Sequence, residues 1–225
     1  MELTMFERLL QLPLFQGLTT REISDVMAHV RLNFVKYQSG DELIAQGEAC
    51  RELIYILSGE VIAEYRDAQG RFSFTEYLPN LKVIEPYNLF GMYQRVSRTY
   101  TFATEGVTLF IEKPVLLRHL LTNDIIKINM LNIVCNKYQQ TQALLCTHPD
   151  NSVTDKIVKF VLSQATVPKG KKSVNIKMTT LAEMIHETRL NVSIVLNQLQ
   201  AEGLVQLQRG IILIEDLQEL ARKSK

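Results

Sequence analysis

The sequence predicts an α+β chain in three parts: an all-β roll, a long helix and a C-terminal winged helix-turn-helix. Three observations predict it. Gly40, Gly47, Gly59, Gly70 and Gly91 punctuate a series of short β-type runs. After Pro114 the apolar pattern becomes helical and meets neither Gly nor Pro until Pro149. Residues 179–214 then read as two capped helices followed by a hairpin.

The roll contains Leu53-Ile54-Tyr55-Ile56-Leu57, Val61-Ile62-Ala63-Glu64-Tyr65 and Thr108-Leu109-Phe110-Ile111 as strands, with Asp67-Ala68-Gln69-Gly70 as a hairpin loop. Pro114 suits the first turn of one helix that continues to Thr147. Along it Ile128, Leu131, Cys135, Tyr138, Gln142 and Leu145 recur at spacings of 3, 4, 3, 4 and 3, the seam of a two-stranded coiled coil. This favours a homodimer; packing of the same stripe on its own β domain stays open. His148-Pro149-Asp150-Asn151-Ser152 has hinge composition. The expected division is therefore 1–112 for the roll with its N-terminal helical segment, 113–148 for the dimerisation helix and 149–225 for the winged helix-turn-helix.

Within that last part, Val153–Ala165 is helical, 167–172 is a loop and Val174–Met178 alternates as a strand. Thr179 or Thr180 caps a helix through Leu181-Ala182-Glu183-Met184-Ile185, with Glu183 completing a capping box with Thr180. Thr188 caps a second helix, Arg189 to Glu202, which Gly203 ends. Val192, Val195, Leu196 and Leu199 form its buried face, leaving Arg189, Asn191, Ser193 and Asn197 outside. Arg can take a guanine edge with two hydrogen bonds, Asn can pair with adenine, and Ser or Thr can anchor phosphate. Leu204–Leu207 and Ile211–Ile214 flank Arg209-Gly210 as a wing, where Arg209 can reach phosphate. DNA-binding candidates are thus Thr179, Thr188, Arg189, Asn191, Ser193, Asn197 and Arg209.

Charge leans the same way. Residues 1–149 carry 14 Lys+Arg against 16 Asp+Glu, and residues 150–225 carry 11 against 8, a net −2 and +3. Three cysteines at wide spacing, Cys50, Cys135 and Cys146, suit reduced thiols and indicate neither disulfide framework nor metal site. No run of about 18 apolar residues predicts a membrane span, and Glu2, Glu7 and Arg8 interrupt any signal-peptide core, so a cytoplasmic protein without membrane partners is expected. The absence of a Ser-His-Asp grouping, a Gly-Lys phosphate loop, HExxH or CxxC argues against an enzyme.

The order of parts, with Gly40-Asp41-Glu42-Leu43-Ile44, Gln46-Gly47-Glu48, Tyr55-Ile56-Leu57-Ser58-Gly59-Glu60-Val61 and Thr188-Arg189, resembles the Crp/Fnr family of transcription regulators. The resemblance implies a cyclic-nucleotide-binding-type β roll and a homodimer on near-palindromic double-stranded DNA. RNA polymerase becomes a candidate further partner, and an effector in the roll controls DNA binding. Arg189 matches the family's guanine-reading arginine, whereas Leu190 and Ile194 replace two polar base-reading residues of the cyclic-AMP receptor. Gly91, Arg98, Thr99 and Thr141 match its effector site in kind. Met92 stands where a carboxylate should take the ribose hydroxyl, which argues against cyclic AMP; an anion at Arg98 stays open. No cysteine precedes Cys50, which argues against an iron–sulfur cluster, while haem ligation by His29, His119, His148 or a Met stays open. A cyclic-nucleotide or small-anion module controlling a partner protein is the alternative function.

Overall fold

The structure is a computed structural model that describes residues 5–28, 30, 32–146, 152–167 and 169–222. In chain order these form α1 (Met5–Leu10), α2 (Thr20–Met27), β1 (Asn33–Tyr37), β2 (Glu42–Ile44), β3 (Glu52–Ser58), β4 (Val61–Arg66), β5 (Phe72–Leu78), β6 (Lys82–Ile84), β7 (Thr99–Phe102) and β8 (Gly106–Glu112). They continue with α3 (Lys113–Val115), α4 (Asp124–Cys146), α5 (Val153–Gln164), β9 (Lys172–Ile176), α6 (Met178–Met184), α7 (Arg189–Ala201), β10 (Gln206–Gln208), β11 (Ile211–Ile214) and α8 (Leu217–Arg222). The chain divides into two compact units, Met1–Val61 with Leu78–Gln140 and Ile62–Tyr77 with Thr141–Lys225.

The first unit is built on an antiparallel sheet in the order β1-β8-β3-β6. Leu53 to Leu57 in β3 are all buried, which explains why that strand reads as a continuous apolar run and not as an alternation. Gly59 makes the turn to β4 at φ 88°; a Cβ there would stand 2.8 Å from the Glu105 carbonyl oxygen and the Gly106 Cα, so the close approach requires glycine. Leu53, Tyr55, Leu109, Leu116, Ile126 and Met130 share one core with the N-terminal segment around Leu14 and Phe15.

The expected single helix from Pro114 to Thr147 is corrected. A short α3 and a π-helical turn at Leu116–Leu120 come first, the chain breaks at Leu121–Asn123, and α4 starts afresh at Asp124. The reason is local: the Asn123 side-chain oxygen accepts from the backbone N–H groups of Ile125 and Ile126 at 2.9 and 3.2 Å, and this cap competes with a continuous helix. Ile126 and Met130 bury the other side of α4, while Ile128, Leu131, Cys135 and Tyr138 are exposed and Gln142 is half-buried. The Leu145 side chain, Thr147 and residues 148–151 of the expected hinge lie outside the described residues.

In the second unit β4 and β5 form a hairpin around the expected Asp67–Gly70 loop, where Arg71 pairs with Asp67 at 2.9 Å. β5 then pairs antiparallel with β9, β9 with β11, and β11 with β10. Phe72 and Phe74 join Val158, Val174, Leu196 and Ile214 in one core. Lys172, expected in a loop, is instead the first residue of β9 and fully buried. It sits opposite Glu76, also fully buried, and donates to that carboxylate at 2.9 Å and to the Lys169 carbonyl at 2.9 Å. Thr166 completes the cluster through its backbone N–H and hydroxyl, both donated to Glu76. Two charges out of water are tolerated when paired and hydrogen-bonded in this way.

Candidate nucleic-acid interface and effector region

α5 begins at Ser152, whose hydroxyl oxygen accepts from the Asp155 N–H at 3.1 Å. α6 begins at Met178, two residues earlier than a Thr179 cap allows and three earlier than a Thr180 cap allows. Its N-cap is Lys177 without a side-chain bond, so the expected Thr180–Glu183 capping box does not form. Ile176 ends β9 one residue before that cap, which leaves no room for the turn a threonine cap would need. Thr179 is exposed in the first turn of α6.

The turn between α6 and α7 passes through His186 at φ 53° and is closed by Glu187 N–H donating to the Ala182 carbonyl at 2.9 Å. Glu187 was missed from sequence. Its carboxylate accepts from Lys156 of α5 at 2.6 Å and from the Asn191 amide at 3.4 Å. These hydrogen bonds, Lys156 foremost, hold its carboxyl below the ordinary range. The contact therefore contributes at neutral pH and is lost as pH falls through the depressed folded value.

Thr188 caps α7 as expected, accepting from the Asn191 N–H at 3.2 Å. Val192, Leu196 and Leu199 are buried, and Val195 is half-buried beside them. Arg189, the first helical residue, is exposed. A cation there opposes the helix dipole, so Arg189 contributes nothing favourable to α7 through that dipole. Asn197 is exposed and donates to the Ser193 carbonyl at 2.8 Å; Ser193 is half-buried. Asn191 is exposed and its amide donates to Glu187 at 3.4 Å.

Gly203 at φ 75° ends α7, and the N–H groups of Gly203 and Leu204 bond back to Gln200 and Leu199. That cap uses up Leu204, so the wing strand runs Gln206–Gln208 and not Leu204–Leu207. Arg209 is exposed at the wing tip before Gly210 at φ 75°. The helix-turn-helix and wing thus bring Thr188, Arg189, Asn191, Ser193 and Asn197 onto one capped helix, with Thr179 and Arg209 on separate elements.

The expected effector residues are less gathered. Gly91 is exposed at φ 85°, and the two residues after it stand in solvent, Met92 at 94% and Tyr93 at 87% exposure. Arg98 is buried, and Thr99 accepts from the Gln46 N–H at 3.0 Å. Thr141 is exposed on α4 and falls in the other unit. A carboxylate that sequence missed lies close by in the chain. Glu85, buried at φ 35°, accepts from the Ser97 N–H at 2.8 Å, the Ser97 hydroxyl at 2.7 Å, the Tyr100 hydroxyl at 2.7 Å and the Asn88 amide. Burial, then the Glu85 charge, raises the Tyr100 phenol well above its ordinary range. A cleft of about 720 Å³ opens elsewhere on this unit, lined by Ile44, Cys50, Arg51, Phe110 and Lys113 among others, and none of Gly91, Arg98, Thr99 or Thr141 lines it. Of the haem candidates His29 and His148 lie outside the described residues, and no group of three His, Cys, Asp or Glu among the described residues could hold a metal ion.

Residues 155–223 match the family described as the Crp-like helix-turn-helix domain. No curated protein matches the chain. Among solved structures it is similar to the catabolite activator protein of Thermus thermophilus, with 20% identity and a TM-score of 0.53 over 94% of this chain and 98% of that one. It is similar also to a protein of Eubacterium rectale assigned to the Crp/Fnr family of transcriptional regulators, with 18% identity and a TM-score of 0.54 over 95% and 98%. The C-terminal residues 155–223 thus carry a Crp-like helix-turn-helix match, and the chain as a whole shares the fold of these two solved structures.

Proposed function

We propose that this chain is a sequence-specific DNA-binding transcription regulator, working as a homodimer on a near-palindromic operator under the control of an effector in the first unit. The observation that carries the reading is α7: capped by Thr188, anchored by one apolar face and exposing Arg189 at its start. Arg189 takes a guanine edge, Asn191, Ser193 and Asn197 are the further groove-facing candidates on the same helix, and Thr179, Thr188 and Arg209 contact phosphates. The exposed Ile128, Leu131, Cys135 and Tyr138 of α4 form the seam between two copies. α4 runs across the division between the units at Gln140 and Thr141, so an event at Arg98 has a continuous helix along which to act. Among the described residues no helix is long and apolar enough to cross a membrane, and the proposed place of action is the cytoplasm, with RNA polymerase as a further partner.

The test is selection of sites from a random DNA pool, with and without cyclic AMP, at one salt concentration. A palindrome enriched in both arms supports the regulator and a trigger other than cyclic AMP. Enrichment only with nucleotide assigns Arg98-Thr99 to its phosphate. No enrichment in either arm, with the protein folded, overturns the reading for the unliganded and the cyclic-AMP-bound chain.

A further inference from the structure

α7 exposes two large apolar side chains, Leu190 at 69% and Ile194 at 48%. At 3.6 residues per turn they are neighbours four positions apart, on the side of the helix facing away from buried Val192, Leu196 and Leu199. Packing does not explain them, because the core of this unit is complete on the other face. They stand among the groups assigned above to DNA, with Arg189, Ser193 and Asn197 along one edge.

We infer that Leu190 and Ile194 are specificity-determining residues that read the 5-methyl groups of thymines beside the guanine taken by Arg189. The thymine methyl is the apolar group that the major groove offers; guanine, adenine and cytosine edges present hydrogen-bond donors and acceptors there. Leucine or isoleucine against those edges strips water from polar atoms and returns no hydrogen bond, so the pair favours the methyl-bearing thymine edge over the other three. Four residues of helix advance about 6 Å, close to two base-pair steps of about 3.4 Å, which puts two methyl contacts within about three base pairs. Each half-site would then contain a guanine followed by an A·T-rich step read by apolar contact.

This inference rests on the DNA-binding reading, and its test separates the two. Starting from the selected operator, each thymine is replaced in turn by deoxyuridine, which removes the methyl and leaves every hydrogen-bonding group. At one or two positions per half-site the wild-type protein should bind about three- to fivefold more weakly, as expected for the loss of one buried methyl. Leu190→Ala and Ile194→Ala, both at exposed positions, should each bind thymine and deoxyuridine equally at one of those positions while keeping the guanine preference. Equal binding of thymine and deoxyuridine by the wild type, with Arg189→Ala still losing the specific site, overturns the inference and leaves the DNA-binding reading intact. Loss on deoxyuridine that persists in Leu190→Ala/Ile194→Ala also overturns it, since the methyl then acts through DNA shape. Failure to select any site, with the protein folded, overturns both for the unliganded and the cyclic-AMP-bound chain.

Discussion

α4 and α7 both leave large apolar side chains in water, and their surroundings differ. On α4 the exposed set is Ile128, Leu131, Cys135 and Tyr138, spaced by 3, 4 and 3 over about three turns, on a helix whose opposite side is already buried through Ile126 and Met130. On α7 it is two residues, Leu190 and Ile194, beside an exposed arginine at the helix start. Exposure alone does not identify a partner. A long apolar seam suits the same seam on a second copy, where knobs can fill holes turn after turn. A short apolar pair edged by a cation and hydrogen-bonding side chains suits a groove whose walls are phosphates and whose floor is mixed.

The largest expected effect breaks the α4 side. Leu131→Asp would put two carboxylates face to face in a dry seam, and the dimer should weaken about a thousandfold or more, about 4 kcal/mol. Sedimentation equilibrium reads this directly; an unchanged dimer would show that α4 is not the seam. Next comes the scaffold that lets α7 face outward. Lys172→Met leaves Glu76 buried beside an uncharged chain, and unfolding of the second unit should become easier by about 3–5 kcal/mol. Denaturant melts would show it, and a loss below about 1 kcal/mol would mean that water reaches the pair.

On the α7 side, Arg189→Ala should lose about 1–3 kcal/mol on the selected operator and little on random DNA. Equal loss on both would make Arg189 a phosphate contact. The smallest effect sharpens the comparison through the thiols. Burial, then the Glu85 charge, pushes the Cys50 thiol up to about 11, whereas Cys135 is exposed in the α4 stripe. Iodoacetamide at pH 8 should spare Cys50, modify Cys135, and modify it more slowly in the dimer, with operator adding no further protection once the protein is fully dimeric. Further protection of Cys135 by DNA in a fully dimeric sample would place it on the wrong surface.

Where a local signal settled conformation, sequence reading came close. Thr188 before an apolar period and Gly203 after it placed α7 to within one residue, and Asp67–Gly70 placed the β4–β5 turn. It went astray where two local signals competed. Asn123 is a good cap inside a good helical period, and only the packed structure shows that the cap prevails. Thr180 and Glu183 have capping-box spacing, yet β9 runs so close to α6 that the box has no place.

Long-range pairing was out of reach altogether. Nothing near Lys172 in sequence announces Glu76, 96 residues away, and a Lys in a Lys-Gly-Lys-Lys run reads as solvent-exposed. The Glu85 cluster with Ser97 and Tyr100 and the Lys156–Glu187 anchor were missed for the same reason.

By itself the sequence determined the order of parts, the short strands of the roll and where α7 starts and ends, because these depend on neighbours within a turn or two. Only the tertiary structure decided that the 62–77 hairpin joins the C-terminal unit through β9, that Glu76 and Lys172 are buried together and that one face of α4 is used while the other is left bare. Burial and charge pairing are set by whichever distant surface arrives, and a linear pattern carries no record of it.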